Sequence, residues 1–260
     1  MLYNLHTHSF YCGHGEGRIG EYVSYAQEKG YSILGFTEHC PFPDNLFRKT
    51  RMDYSMMEAY EEDVRSFSSG PMTVLLGYEA DFFPSRMEYY QSVRERVDYL
   101  ISGTHFVEKK DGHRISLFYP GVEKEDLAGY LRTVVGAMES GLFAFMAHPD
   151  VFLSCYPFDD TARGISRDII EAAKDIGIPL EINGNGMLKA PSDGCEGYPS
   201  RSFWEIASSV GGIKVVLSTD AHKVENIDKT YPMISEFASH YGIEVVEPEW
   251  NGSGLEWRRR

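Results

Sequence analysis

Apolar residues along the chain keep two alternating rhythms. Short β-rich runs at residues 2–5, 32–36, 73–77, 99–103, 143–147, 179–182 and 214–218 predict seven strands. Between them apolar positions return at helical spacing, as in Ile19, Tyr22, Val23 and Ala26, in Met57, Tyr60, Val64 and Phe67, and in Leu127, Leu131, Val134, Val135 and Met138. Ser55 followed by Glu58 has the spacing of a capping box, and Gly30 and Gly177 each stand between a helical run and the next strand, where a left-handed residue ends a helix. Repeated βα units imply a parallel sheet. Right-handed crossovers carried through seven strands favour closure into a barrel over an open doubly wound sheet. No Gly-x-Gly-x-x-Gly follows the first strand, which weakens a dinucleotide-binding alternative.

No internal repeat, Ser/Gly linker or low-complexity block divides the chain, so one α/β domain is expected over 1–246. The segment 247–260, EPEWNGSGLEWRRR, is polar and Gly-containing with a run of arginines, and is expected to be a C-terminal tail outside the fold.

Composition narrows the function. The 260 residues are 42% hydrophobic and 25% charged, an ordinary globular balance. Twenty-five basic against 39 acidic residues give −14, which repels polyanions and argues against a broad nucleic-acid footprint while leaving room for local basic pockets. No apolar run approaches the roughly 18 residues of a membrane span and no targeting region opens the sequence, so no membrane partner and a cytoplasmic location are expected. Cys12, Cys40, Cys155 and Cys195 are far apart and fit no zinc-finger spacing, so free thiols are expected. Nothing in the pattern specifies an oligomeric state.

The chemistry gathers at the predicted strand ends, where a parallel barrel presents its functional side chains. In chain order these ends carry His6 and His8 with His14 beyond, Glu38 and His39, Glu79, His105, His148 and Asp150, Glu181 and Asn183, and Asp220 and His222. Seven of the nine histidines therefore fall at one end of the barrel, which independent core roles do not explain. Residues i and i+2 of a strand share a face, so His6 with His8, and Asp220 with His222, form pincers for one ion. Imidazole and carboxylate donors suit Zn²⁺, Mn²⁺ or Fe²⁺ in open catalytic sites. Nine donors at about three to four per ion fit two or three divalent ions.

These motifs resemble the polymerase and histidinol phosphatase (PHP) superfamily: HTHS at 6–9, TEH at 37–39, GYEADFF at 77–83, SGTHF at 102–106, AHPD at 147–150 and STDAH at 218–222. The Arg51-Met52 pair, the Asp81-Phe82-Phe83-Pro84 continuation and YPSRSFW at 198–204 resemble its histidinol-phosphate phosphatases. The resemblance implies a distorted seven-stranded, TIM-like (β/α)7 barrel with a trinuclear site at the C-terminal face of its strands. One ion would take His6, His8, Glu79 and Asp220, a second His14, His39 and His222, and a third His105 and His148, with Glu79 bridging. Position 14 is Asp in many such relatives and His here, which keeps a donor and bears on metal preference.

The activity so implied is hydrolysis of L-histidinol phosphate to L-histidinol and phosphate in histidine biosynthesis, with a small phosphate monoester as partner. Attack by a hydroxide bridging two ions is the expected route, with Asp220, His222 or a metal-bound water giving the leaving group its proton. Arg163, Lys189 and Arg201 are the expected phosphate contacts, with the guanidinium groups offering paired donors. Phe42, Phe118, Tyr119 and Tyr156 are expected to flank the organic part and Glu181 to meet an ammonium group. Asn183 and Asp150 are expected to orient ligands, Cys12 and Cys40 to be packed thiols, and His113 and His240 to have no part. The alternatives are a phosphatase for sugar or nucleotide phosphates, a phosphodiesterase, and a noncatalytic metal-binding module.

Overall fold

A computed structural model describes residues 1–109 and 112–259. In chain order the elements are β1 (Tyr3–Asn4), α1 (Ile19–Glu28), β2 (Ile33–His39), α2 (Met57–Arg65), β3 (Thr73–Ala80), α3 (Met87–Arg94), β4 (Tyr99–Gly103), β5 (Phe106–Glu108), β6 (Arg114–Ser116), α4 (Lys124–Glu139), β7 (Met146–Ala147), α5 (Asp160–Ile176), β8 (Leu180–Asn183), α6 (Arg201–Val210), β9 (Val215–Ser218), α7 (Asn226–His240), β10 (Val246–Trp250) and β11 (Leu255–Arg259). Seven strands pair in parallel in the order β1-β2-β3-β4-β7-β8-β9. These are the seven strands expected.

The ends of the sheet meet across a sewn seam. Thr219 N donates to Asn4 Oδ1 at 2.8 Å, His8 N donates to the Ala221 carbonyl at 2.9 Å, and Thr7 and Ala221 form a parallel bridge. With β1 and β7 only two residues long, the result is a nearly closed, distorted barrel flanked by helices.

Helix boundaries follow from local chemistry. The Asp159 side chain accepts from Ala162 N to start α5, and Gly177 in the left-handed region ends it, while Ser200 accepts from Phe203 N to start α6. The capping box expected at Ser55 is absent, because Asp53 caps a 3-10 turn over 54–56 and takes both the N–H and the hydroxyl of Ser55. None of the described helices is long and apolar enough to cross a membrane.

Strand alternation divides the core in two. Leu34, Phe36, Leu76, Tyr78 and Leu100 face the helices, whereas Ile33, Leu75, Tyr99, Ile101, Phe145 and Val216 pack together inside the barrel with Tyr3 and Leu5. Gly35 and Gly77 leave space for the Tyr99 ring, whose hydroxyl donates to the Leu5 carbonyl at 2.8 Å. This packed floor supports the polar residues above it.

Two hairpins were not anticipated. β5 and β6 pair beside the barrel mouth. β10 and β11 pair antiparallel, so residues 247–259 are folded and not a tail. Trp250, Leu255 and Trp257 pack against the inner apolar cluster, Trp257 meets Phe145 edge-on at 6.1 Å, and Tyr3 Oη donates to the Val246 carbonyl at 3.0 Å. The signal lay in the alternation Val246, Pro248, Trp250 and Leu255, Trp257 around an Asn-Gly-Ser-Gly turn. Polar composition hid that alternation.

Candidate metal centre

Donor atoms from all the barrel strands except β8, and from the loops after them, converge at the C-terminal end. His6 Nε2 and His8 Nε2 are 3.0 Å apart, and Asp220 Oδ1 lies 3.6 and 3.3 Å from them. Glu79 Oε2 stands 3.5 and 3.4 Å from the same two nitrogens. Donors around one tetrahedral ion at about 2.0–2.1 Å are separated by about 3.3 Å, near the spacing within the group His6, His8 and Asp220 and that of Glu79 Oε2 from both imidazoles. His14, His39 and His222 form a second group, with His14 Nε2 and His222 Nε2 3.1 Å apart. The other Glu79 oxygen faces a third pair, 2.8 Å from His148 Nε2 and 3.2 Å from His105 Nε2. Glu79 thus stands between two donor groups, as a bridging carboxylate must.

Orphaned atoms point the same way. Glu79 Oε2 and Asp220 Oδ1 are buried without a hydrogen-bond partner, a costly arrangement for a carboxylate unless a cation completes it. His148 and Asp220 hold positive φ values of 29° and 49°, a strained backbone for residues with side chains. The donor set is hard to neutral in character and fits Zn²⁺, Mn²⁺ or Fe²⁺.

A surrounding shell fixes these donors. His6 Nδ1 is 2.8 Å from Glu181 Oε1, and Glu181 Oε2 accepts from His148 N and Asn183 Nδ2. Asn183 and Asn185 both donate to Asp220 Oδ2, so Asn183 orients a donor as expected. Asp81 takes His105 N at 2.8 Å, stands 3.2 Å from His105 Nδ1, and receives Arg51 Nη2 at 2.8 Å. Asp150 holds no donor. It anchors the start of α6 instead, accepting from Ser200 N and Trp204 Nε1.

Electrostatics separate the histidines. Burial opposes charge on His6, but Glu181, Asp220 and Glu79 outweigh it and push its pKa up to about 10. Burial and the neighbouring His8 charge push His222 down to about 3 and also lower His14 and His39. Burial works against ionisation of Asp220, yet His6 and His8 hold its carboxyl well below the usual range. Asp220 is thereby favoured as a carboxylate and His222 as a neutral imidazole, the forms that donate to a cation.

Beside the donors opens a cavity of about 510 Å³, lined by His39 and His105 on one side and by Arg51, Phe118, Tyr119, Lys189 and Tyr198 among others. Lys189, Phe118 and Tyr119 are where the sequence reading placed them. Four other expected contacts are not. Phe42 is fully buried under the guanidinium groups of Arg51 and Arg86, and Tyr156 is buried with its hydroxyl on Asp159. Arg163 is exposed on α5 over Phe158, and Arg201 is exposed on the first turn of α6. Glu181 is also displaced, being fully buried behind His6 where no substrate ammonium reaches it. Helix phase decided the arginines: each lies on the solvent face of its helix.

Arg51, Tyr198 and Asp81 were quoted only as parts of motifs, although they shape the site. A buried Asp two positions after Glu79, on a strand of period two, was the available signal for Asp81. Cys12 lies within reach of His8 and His222. Its thiol is already held between Ser9 O and Gly15 N, and burial pushes its pKa up to about 12. All four cysteines are free. His113 is exposed beside β6 and His240 ends α7, both away from the cluster.

This arrangement of seven parallel strands around an imidazole and carboxylate cluster defines a class. A PHP domain family model matches residues 4–185, and the chain belongs to the PHP domain family. A protein of Deinococcus radiodurans named a probable histidinol-phosphatase is 29% identical over 231 residues, covering 85% of this chain and 86% of that one. Among solved structures, a candidate histidinol phosphatase of Listeria monocytogenes superposes with a TM-score of 0.75 at 20% identity, covering 89% of this chain and 99% of that chain. The histidinol phosphate phosphatase of Lactococcus lactis, solved with Zn, L-histidinol and phosphate, gives 0.72 at 18% identity and 98% of both chains.

Proposed function

We propose that the chain is a metal-dependent phosphomonoesterase and that its substrate is L-histidinol phosphate. The observation that carries the reading is the Glu79 carboxylate, buried among His6, His8, His39, His105 and His148 with Oε2 unpartnered. Two or three divalent ions are held by His6, His8, Glu79 and Asp220, by His14, His39 and His222, and by His105 and His148 with Glu79 shared. When bound, such ions neutralise phosphate charge and acidify water. The side chains do the rest: Glu181, Asn183 and Asp81 fix the donors, and Lys189 brings a cation to an ester seated in the cavity that Phe118 and Tyr198 line. The Deinococcus relative and the zinc, histidinol and phosphate complex of the Lactococcus enzyme support the substrate.

A second reading has its own observation. Among the described residues lining the cavity there are two cationic side chains, Arg51 and Lys189, and no carboxylate to meet the ammonium of histidinol phosphate. A sugar or nucleotide phosphate has no such need.

Steady-state kinetics on a phosphate-ester panel, with Zn²⁺, Mn²⁺ or Fe²⁺ supplied in turn, separates the two. A preference of at least ~100-fold in kcat/KM for L-histidinol phosphate, about 2.7 kcal/mol of discrimination, is the expected result. Faster turnover of esters lacking an ammonium favours the second reading. A folded, metal-loaded protein that hydrolyses nothing on the panel overturns both and leaves a noncatalytic metal-binding module.

A further inference from the structure

Hydrolysis of an alkyl phosphate releases a strongly basic alkoxide, which must receive a proton as it departs. A side chain that reaches the cavity from outside the donor groups can supply it directly.

Four side chains with an acidic hydrogen line the cavity outside the donor set and the Arg51 ion pair, namely Tyr119, Cys155, Lys189 and Tyr198. Tyr119 is 71% exposed, and Cys155 faces Ser192 Oγ at 3.3 Å on the rim. Lys189 is exposed too, but its tip is held. Its ammonium donates to Tyr198 Oη at 3.0 Å and lies 4.9 Å above the Phe118 ring, and those two rings pack in turn on His148 and His105. The ammonium is thus one aromatic layer from two metal donors, and two of its three hydrogens remain to be given. The backbone beneath is locked, because Gly186 is pressed so closely on the Tyr198 backbone that any Cβ there would overlap it, and Lys189 N donates to the Gly186 carbonyl. A long flexible side chain is rarely anchored at both its base and its tip without a task at the tip.

We propose that Lys189, steadied by Tyr198 and Phe118, is the proton donor to the leaving oxygen; this rests on the phosphomonoesterase reading above. As the oxygen of water bonds to phosphorus, the phosphorus–alkoxy bond breaks with its electron pair passing to the alkoxy oxygen. Lys189 Nζ gives that oxygen a proton and becomes a neutral amine. The water loses its proton to solvent, and solvent returns one to Lys189, so the cycle closes without any other reactant.

Leaving-group dependence tests this. The metal-loaded enzyme and its Lys189→Met, Lys189→Arg and Tyr198→Phe variants are compared on L-histidinol phosphate, whose alcohol needs a proton, and on p-nitrophenyl phosphate, whose phenolate does not. Lys189→Met is expected to lose ~100-fold or more on the alkyl ester and at least ~10-fold less than that on the aryl ester, which loses the binding cation but needs no proton. Lys189→Arg keeps the charge but yields no proton, so it should show the same split, and Tyr198→Phe a smaller one. Metal content and melting temperature are measured alongside and should match the parent. Equal losses on both esters, or full activity of Lys189→Arg on the alkyl ester, overturn the assignment and leave Lys189 a binding residue. If the parent enzyme hydrolyses neither ester, the phosphomonoesterase reading itself fails.

Discussion

Gly103 on β4 lies directly against the carboxylate of Glu79 on β3, and a methyl group at position 103 would overlap Glu79 Oε1. The smallest residue is needed there because Glu79 must lie flat between two donor groups. Gly103→Ala should turn the carboxylate aside and weaken metal affinity by about 10- to 100-fold while the barrel still folds. Chelator competition followed by elemental analysis of the recovered protein measures this. Unaltered affinity would remove Glu79 from the ligand set.

Asp81 is the counter-charge for a guanidinium only 3% exposed, and Asp81→Asn leaves Arg51 buried without it. The expected cost is about 3–5 kcal/mol in urea unfolding at pH 7, more than any surface charge would show. Burial resists ionisation of Asp81, but His105 and then Arg51 hold its carboxyl well below the ordinary 3.8. A carboxyl lowered in the folded state gives stability above pH 3.8 that is lost as pH falls further. The gap between parent and variant should therefore narrow in acid. A gap that is constant across pH would assign the loss to packing.

The thiols should sort into two classes. Burial pushes Cys12 and Cys40 up to about 12, and both are shut from solvent, whereas Cys155 and Cys195 are half-buried. Ellman's reagent at pH 8 is expected to label two thiols per native chain and the remaining pair only after denaturation. Rapid labelling of three or four would show that the region near His8 or Arg51 opens readily.

The β10–β11 hairpin closes the floor of the barrel, so Trp257→Ala should destabilise the protein by about 1–3 kcal/mol, less than the value for a fully buried Trp. Urea titration read by circular dichroism suffices. A loss below about 0.5 kcal/mol, as at an ordinary surface site, would mean the hairpin is detachable.

What could be read in advance divides by range. All seven barrel strands and the donor residues were visible, because strand period places Ile33, Gly35, Thr37 and His39 on one face whatever the rest of the chain does. Arg163 and Arg201 were misplaced because nearness in sequence to a strand end does not fix the phase of the following helix. Glu181 was misjudged for a different reason: a carboxylate at a strand end can face a ligand or stand behind one, and only the position of His6 from another strand decides. The hairpin at 246–259 was missed because five arginines and glutamates masked an alternation of two tryptophans.

The seam between Asn4 and Thr219 has a consequence for how the molecule matures. His6 and His8 are synthesised long before Asp220, so the group the three form exists only once the ring is shut. Contacts so distant in sequence form late. A nascent chain therefore offers incoming ions scattered single imidazoles, and firm capture is deferred until assembly is finished. Retention of the ions would then act as a record that the circle has been joined.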